Sequence, residues 1–377
     1  MDEPVIAGVG IHPFGRFSAN YRELGAHAAS AALADAGIRL DELDMVLVAN
    51  VGAEMAKGQN SMELLGRPGI PIINVEAACA SSASALSIAS GLVSGGTART
   101  VLCLGVEKAP RGFIAGAGFE HWQIESGLGV NPMYFALDAQ RLIAETDATI
   151  DDLADVSVKN HLHAVDNPNA MYRKAMTREQ ILASPMVCPP LHLLMLCSPN
   201  EGAAAAVLMN PEEARRREVD GVRLSAISIV SRHADDWFVP APSLHWQQRT
   251  SLTARAAAKA YEAAGIGPED IDVVECQDTD SASELIAYRD LGLCEPGDEA
   301  GLLRSGRTAL GGGVPVNVSG GLLSKGEPLG ASGLGQVHEL VQQLRGRCGS
   351  RQVDSAKVGV SQVMGAGHNA SVLVVTR

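Results

Sequence analysis

Chemistry in this chain centres on Cys79, in the run Asn74-Val-Glu-Ala-Ala-Cys79-Ala-Ser-Ser-Ala-Ser-Ala-Leu86. A thiol placed where a helix begins meets unpaired backbone N–H groups and the positive end of the helix dipole, which favour the thiolate. Such a residue suits covalent acyl transfer. The competing reading is a small hydrophobe buried on a packed helix. Other polar groups leave further options. His161 and His163 flank Leu162, but no third ligand stands at metal-binding spacing, so they are expected at a helix end or at the border of a pocket and no metal is expected. Asp278 and Asp280 either bind substrate or a cation, or orient neighbouring side chains at a strand end. Arg173 and Lys174, with Arg178, form a cationic cluster that either attracts phosphates or is solvated surface charge. Trp122, Trp237 and Trp246 either stack on an apolar substrate or pack in the core.

The elements that must position these groups show an internal echo. Between Arg22 and Ala49 an alanine-rich helix leads to Asp35-Ala-Gly-Ile38, an acidic turn Asp41-Glu-Leu-Asp44 and an apolar run Met45-Val-Leu-Val-Ala49 that reads as a buried strand. Leu252 to Cys276 repeats the order, with Gly265 following Gly37 by 228 positions. In both copies a glycine suits a left-handed helix end. Strand Ile72–Val75, helix Ala80–Ser94 and strand Thr100–Gly105 continue the alternation, which predicts α/β layers with largely parallel strands. From about residue 108 to 200 the pattern loosens around helical pieces such as Met133–Glu145, and this stretch reads as a cap inserted in the first half. The division expected is therefore 1–242 for the N-terminal half and 243–377 for the C-terminal half, which closes with two strands around a glycine turn.

With 377 residues, 46% of them hydrophobic, and a mean hydropathy of +0.08, the chain can bury a large core. A net charge of −13 opposes nonspecific attraction to nucleic acid or anionic membranes. Seven cysteines without CxxC pairing suggest neither a disulfide framework nor structural zinc, and a reducing cytoplasm is the expected setting. No run approaches the roughly 20 apolar residues of a membrane span. Gly311-Gly-Gly313 and Gly320-Gly321 lack the spacing of a dinucleotide fingerprint, so no nicotinamide or flavin is expected.

Taken together, Glu76-Ala-Ala-Cys79-Ala-Ser-Ser, Glu107-Lys108, Val158-Lys-Asn-His161, Ala183-Ser-Pro-Met186, Glu201-Gly-Ala-Ala204, Glu284-Leu-Ile-Ala-Tyr288 and Gly326-Glu-Pro-Leu-Gly-Ala-Ser-Gly333 resemble the thiolase superfamily. More narrowly, they resemble its sterol-carrier-protein and archaeal acetyl-CoA acetyltransferase branch, over nearly the whole chain. The resemblance implies a duplicated α-β-α-β-α fold in five layers with an inserted cap. It also implies an acyltransferase acting on CoA thioesters, with coenzyme A as co-substrate, no covalently bound cofactor, a homodimer and a small zinc-ribbon/OB-fold partner protein.

Three departures from the family pattern bear on the reaction. Glu327 stands in Gly326-Glu-Pro328 where the family carries an activating His; Gln277-Asp278-Thr279-Asp280 replaces Asn-Glu-Ala-Phe or His-Asp-Cys-Phe; and Val363 stands where many thiolases carry a second cysteine. The resemblance makes Cys79 the nucleophile and the backbone N–H groups of Cys79 and Gly365 the oxyanion hole. Gln277 would act through water at the enolate, and Glu327 and His368 would share proton transfer. His161, Arg173, Lys174, Asp278 and Asp280 are expected to meet the substrate. The altered pocket suits an unusual 3-oxoacyl-CoA, branched, aromatic or steroid-derived, in lipid or aromatic degradation. A retro-aldolase acting on a 3-hydroxyacyl-CoA and a noncatalytic acyl-CoA or lipid carrier are the alternatives.

Overall fold

A computed structural model describes residues 3–51, 54–112, 119–233, 251–366 and 369–377. The chain opens with β1 (Val5–Gly15) and α1 (Tyr21–Ala36). Asn20 starts α1 by accepting from the backbone of Arg22 and Glu23 while Glu23 returns a bond to Asn20 N, a reciprocal cap; Gly37 ends it at φ 66°. Then follow β2 (Met45–Ala49), α2 (Lys57–Met62), β3 (Ile72–Val75), α3 (Ser81–Ser94) and β4 (Thr100–Lys108). The expected cap holds α4 (His121–Glu125), α5 (Asn131–Glu145), α6 (Ile150–Ala164), α7 (Arg178–Leu182) and a small hairpin, β5 (Met186–Cys188) with β6 (Leu191–His192). After it come β7 (Glu201–Met209), α8 (Pro211–Arg216), β8 (Val222–Ser231), α9 (Leu252–Ala264), β9 (Val273–Glu275) and α10 (Ser281–Asp290). The chain closes with α11 (Glu299–Arg304), α12 (Gly321–Ser324), α13 (Ser332–Leu344), β10 (Val358–Gly365) and β11 (Asn369–Thr376).

Among the described residues nine strands join in the order β3-β2-β4-β7-β1-β8-β11-β10-β9. Only two residue pairs, Val5–Arg223 and Ile6–Val222, link β1 to β8. The sheet is thus two runs meeting at a narrow seam, parallel at the outer strands and antiparallel near the seam. Burial on both faces explains the continuous apolar runs. In β2, Val46 and Val48 pack with Leu24, Ala28 and Ala32 of α1, while Leu47 and Ala49 face the core shared by α3 and α13. That shared core also takes Leu224, Leu373 and Val375 from the second run, whose other face meets α9. The layers are therefore helix, sheet, helix, sheet, helix, as the sequence motifs imply.

The echo is structural. Gly265 ends α9 at φ 67° as Gly37 ends α1. Asp44 accepts from Arg99 N and Thr100 N at 2.7 and 3.0 Å at the start of β4; 228 positions later Asp272 accepts from Lys357 N and Val358 N at 2.7 and 2.9 Å at the start of β10. β8 pairs with β11 and supplies the second run's counterpart of β1. Helices α5 and α6 of the cap pack through Ala139, Leu142, Leu153 and Val156 into the core that holds Leu285 and Tyr288 of α10. The stretch joining β8 to α9, with Trp237 and Trp246, lies outside the described residues, and Trp122 is exposed.

Candidate functional site

Cys79 sits on a sharp turn between β3 and α3. Ala78 takes φ 51°, a left-handed conformation rare for a residue with a side chain. Ser81 holds it there: its Oγ accepts from Ala77 N at 2.9 Å and donates to Ala78 O at 2.6 Å. Against this turn lies the end of β10. A Cβ on Gly365 would collide with Ala77 O and the Asn369 side chain, so only glycine lets the two backbones approach. The next residue, Ala366, directs its backbone N–H at the Cys79 sulfur.

The Gly326-Glu-Pro turn brings a carboxyl to the same sulfur. Gly326 adopts φ 104°, and Asn200 fills the space a side chain there would need. Glu327 is 4% exposed, and its backbone is pinned by Glu327 N to Ser198 O and Asn200 N to Glu327 O, both 3.2 Å. Its Oε1 accepts from Gln277 Nε2 at 3.1 Å, its Oε2 accepts from the Cys197 thiol at 2.9 Å, and the carboxyl also hydrogen-bonds Cys79. Gln277 follows β9 and accepts from Met364 N through Oε1. That bond fixes which way the amide points, so Nε2 faces Glu327 and Cys79.

Electrostatics reverse one expectation. Burial, reinforced by the charge of Glu327 and its hydrogen bond, pushes the Cys79 thiol well above its ordinary range, and the N–H groups of Gln277 and Ala366 offset this only in part. A helix N-terminus contributes about 0.3 to 2 kcal/mol, and here desolvation prevails. Burial likewise raises Glu327, against the opposing bonds from Cys197, Gln277 and Cys79. The resting site is a neutral thiol beside a carboxyl that holds its proton to higher pH than usual. It can pass one proton from sulfur to carboxylate and then meet the new thiolate with two N–H donors.

The structure therefore brings together Cys79, Glu327, Gln277 and the Gly365–Ala366 turn. His368 lies outside the described residues. Of the roles the sequence leaves open for Asp278 and Asp280, the structure shows the orienting one. Asp278 accepts from Leu322 N at 2.6 Å, Leu323 N at 3.2 Å and Asn160 Nδ2 at 2.8 Å, capping α12; Asp280 accepts from Ala282 N and Ser283 N, capping α10. Both are fully buried, which raises Asp278 well above the carboxylate range and Asp280 to about 7.

His161 stands in the last turn of α6, at the helix end the sequence suggests; it is 1% exposed, its ring lies 6.2 Å from that of Tyr172, and burial lowers it to about 4, so it is a neutral interior side chain. His163 spends both ring nitrogens on Asn317 O and Leu310 N, each at 3.0 Å. Arg173 and Lys174 are exposed, beside a segment whose Tyr172 N bonds Ser324 O at 3.0 Å, near the Gly326–Glu327 turn. Sequence reasoning missed Cys197. Its only local signal is the run Leu196-Cys197-Ser-Pro-Asn200 immediately before β7, and its partners come from the segments at 279 and 327.

A family model described as "Thiolase, N-terminal domain" matches residues 5–181, and one described as "Thiolase C-terminal domain-like" matches residues 243–377. The acetyl-CoA acetyltransferase of Methanothermobacter thermautotrophicus is 35% identical, with both chains covered over 100% of their length. The benzoylsuccinyl-CoA thiolase subunit BbsB of Thauera aromatica is 35% identical over 97% of this chain and 95% of that protein. Among solved structures, the Ltp2-ChsH2(DUF35) aldolase superposes with a TM-score of 0.87 at 24% identity, covering 100% of this chain and 98% of that one, a likeness of fold.

Proposed function

The chain belongs to the thiolase superfamily and is a thiolase-type acyltransferase, and on that premise we propose that it cleaves an unusual 3-oxoacyl-CoA with free coenzyme A through an acyl-Cys79 intermediate. Glu327 takes the proton of Cys79 as the sulfur attacks the 3-oxo carbon. The C2–C3 bond then breaks, leaving acyl-Cys79 and the enolate of the shorter thioester, which takes at C2 the proton Glu327 has just accepted, so that the carboxylate is regenerated. Glu327 then takes the proton of the CoA thiol as its sulfur attacks acyl-Cys79, the new acyl-CoA leaves, and the proton passes to the departing Cys79 sulfur, which restores the neutral thiol and the carboxylate. Backbone N–H groups of Cys79 and Gly365 serve the tetrahedral oxyanion, where each donor is worth about 2.7 to 4 kcal/mol, and Gln277 serves the enolate. The observation that carries this reading is the carboxyl of Glu327 hydrogen-bonded to Cys79 and held by Gln277 at 3.1 Å.

A branched, aromatic or steroid-derived acyl group is supported by the departures at 277–280 and by a relative named for benzoylsuccinyl-CoA. Exposed Arg173 and Lys174 suit the phosphates of CoA at the rim. A homodimer is supported by edge strand β3, where Ile73 is 45% exposed, together with Ile88 of α3, also 45% exposed.

The placement of the Glu327 carboxyl directly against the Cys79 thiol, where its charge disfavours a second anion, supports a second reading. In a retro-aldolase, Glu327 would remove the 3-hydroxyl proton of a 3-hydroxyacyl-CoA, and C2–C3 cleavage would give a carbonyl product and an enolate without acylating Cys79. Incubation with 3-oxoacyl and 3-hydroxyacyl CoA esters, with and without CoA, separates the readings by intact mass. A CoA-labile adduct on Cys79 supports thiolysis. CoA-independent cleavage of hydroxyacyl esters without an adduct replaces it with the aldolase.

A further inference from the structure

We propose that Cys197 is a positioning residue of the acyl-transfer site, holding the Glu327 carboxyl in the orientation and charge state that let it accept the Cys79 proton. The inference rests on the thiolase reading of Cys79 and Glu327. Cys197 stands where three segments cross. Its N–H bonds Thr279 O at 2.9 Å, in the stretch that begins at Gln277, and its flanking residues Ser198 and Asn200 carry the backbone bonds to Glu327. Its thiol donates to Glu327 Oε2 at 2.9 Å while Gln277 holds Oε1 at 3.1 Å. With Cys197 and Gln277 the carboxylate is held at both oxygens, and without Cys197 it keeps only Gln277 and Cys79, the thiol whose proton it must accept.

The donor must stay protonated while Glu327 cycles. Burial and the charge of Glu327 push the Cys197 thiol well above its ordinary range, so it donates throughout the neutral region. Among the described residues, the titratable groups facing Glu327 are Cys79 before α3 and Cys197 before β7, and the charge of Asp278 also acts on Cys197. The neighbouring Lys325 ammonium turns away, to Ser319 Oγ at 2.8 Å and Glu275 at 3.5 Å. A bond donated to the ionised carboxylate lowers its pKa. Losing it raises Glu327, reduces the ionised fraction at a given pH and moves the acid limb of the rate profile upward.

The test is the pH dependence of kcat/KM for thiolysis by the full chain, with Glu327→Gln identifying the limb that belongs to Glu327 by its disappearance. Cys197→Ala and the bulkier Cys197→Val, which bracket the size of the thiol and donate nothing, should move that limb up by about one pH unit, and Cys197→Ser, which keeps a donor, should leave it near the wild-type position. An unmoved limb in either folded donor-less variant overturns the proposal. So does an equal shift in Cys197→Ser, which would assign the effect to packing. Failure of the parent reading looks different: wild-type protein would form no acyl adduct on Cys79 with any ester.

Discussion

Helices α3 and α13 occupy matching places in the two halves, back to back in the shared core, yet the segments that lead into them do opposite chemistry. Ahead of α3, a left-handed Ala78 and the Ser81 hydroxyl present a thiol. Ahead of α13, a left-handed Gly326 and a backbone bridge to 198–200 present a carboxyl. The duplicated halves supply two similar lead-ins that meet at one place, one carrying the sulfur and the other the proton acceptor. What the halves retain in common, the glycine helix ends and the aspartate turns, makes none of the hydrogen bonds of Cys79 or Glu327.

The contrast is tested most severely at the two reactive groups. Cys79→Ala should reduce thiolysis by about 10^4-fold or more, with thermal melting unchanged within a few degrees. Retained turnover would leave the first half without a chemical role. Glu327→Gln should cost about 10^2- to 10^4-fold, the usual worth of a positioned acid or base. It should also alter stability with a definite sign. The folded pKa of Glu327 lies above its unfolded value, so the native state holds more protons between the two, and native stability falls as pH rises through that window. The amide cannot ionise, so the variant should melt higher than wild type above the window and no higher below it, as calorimetry across pH would show. A lower melting point throughout would mean that the carboxyl is structural.

Gly365 tests the contact between the first lead-in and the end of β10. A methyl group there meets Ala77 O and Asn369, and backbone cannot rotate out of the way. Gly365→Ala should cost about 1 to 3 kcal/mol of stability, the range for overpacking, together with a fall in kcat larger than the change in KM. A fully active variant would show that the β10 end is free to withdraw from Cys79.

These same residues show why the fold was easier to read than the site. Val46 and Val48 on one face and Leu47 and Ala49 on the other make an apolar run whose only solution is a strand buried on both sides, and Gly37 and Gly265 mark helix ends that need positive φ. Such signals are local. Cys79 and Glu327 were legible because their neighbours form motifs. Cys197 was not, since its meaning lies in bonds to segments about 80 and 130 residues away, and nothing in its own run announces them. Asp278 and Asp280 stayed ambiguous for the converse reason: acidic side chains at a strand end suit either ligand binding or orientation, and only the backbone N–H groups of α12 and α10 show what their oxygens hold.

The smallest effect is the cleanest test of the retained half of the comparison. Asp44 and Asp272 each accept two backbone N–H bonds at 2.7 to 3.0 Å where a strand of the shared architecture begins. Asparagine keeps the shape and removes the charge, and a hydrogen bond to a charged group is worth about 1.5 to 3 kcal/mol, less where solvent reaches it. Asp44→Asn and Asp272→Asn should therefore each cost about 1 kcal/mol in denaturant unfolding, equal within error, and leave kcat/KM intact. If one variant were silent and the other severe, the two turns would share a geometry without sharing a function, and the symmetry of the scaffold would be one of shape alone.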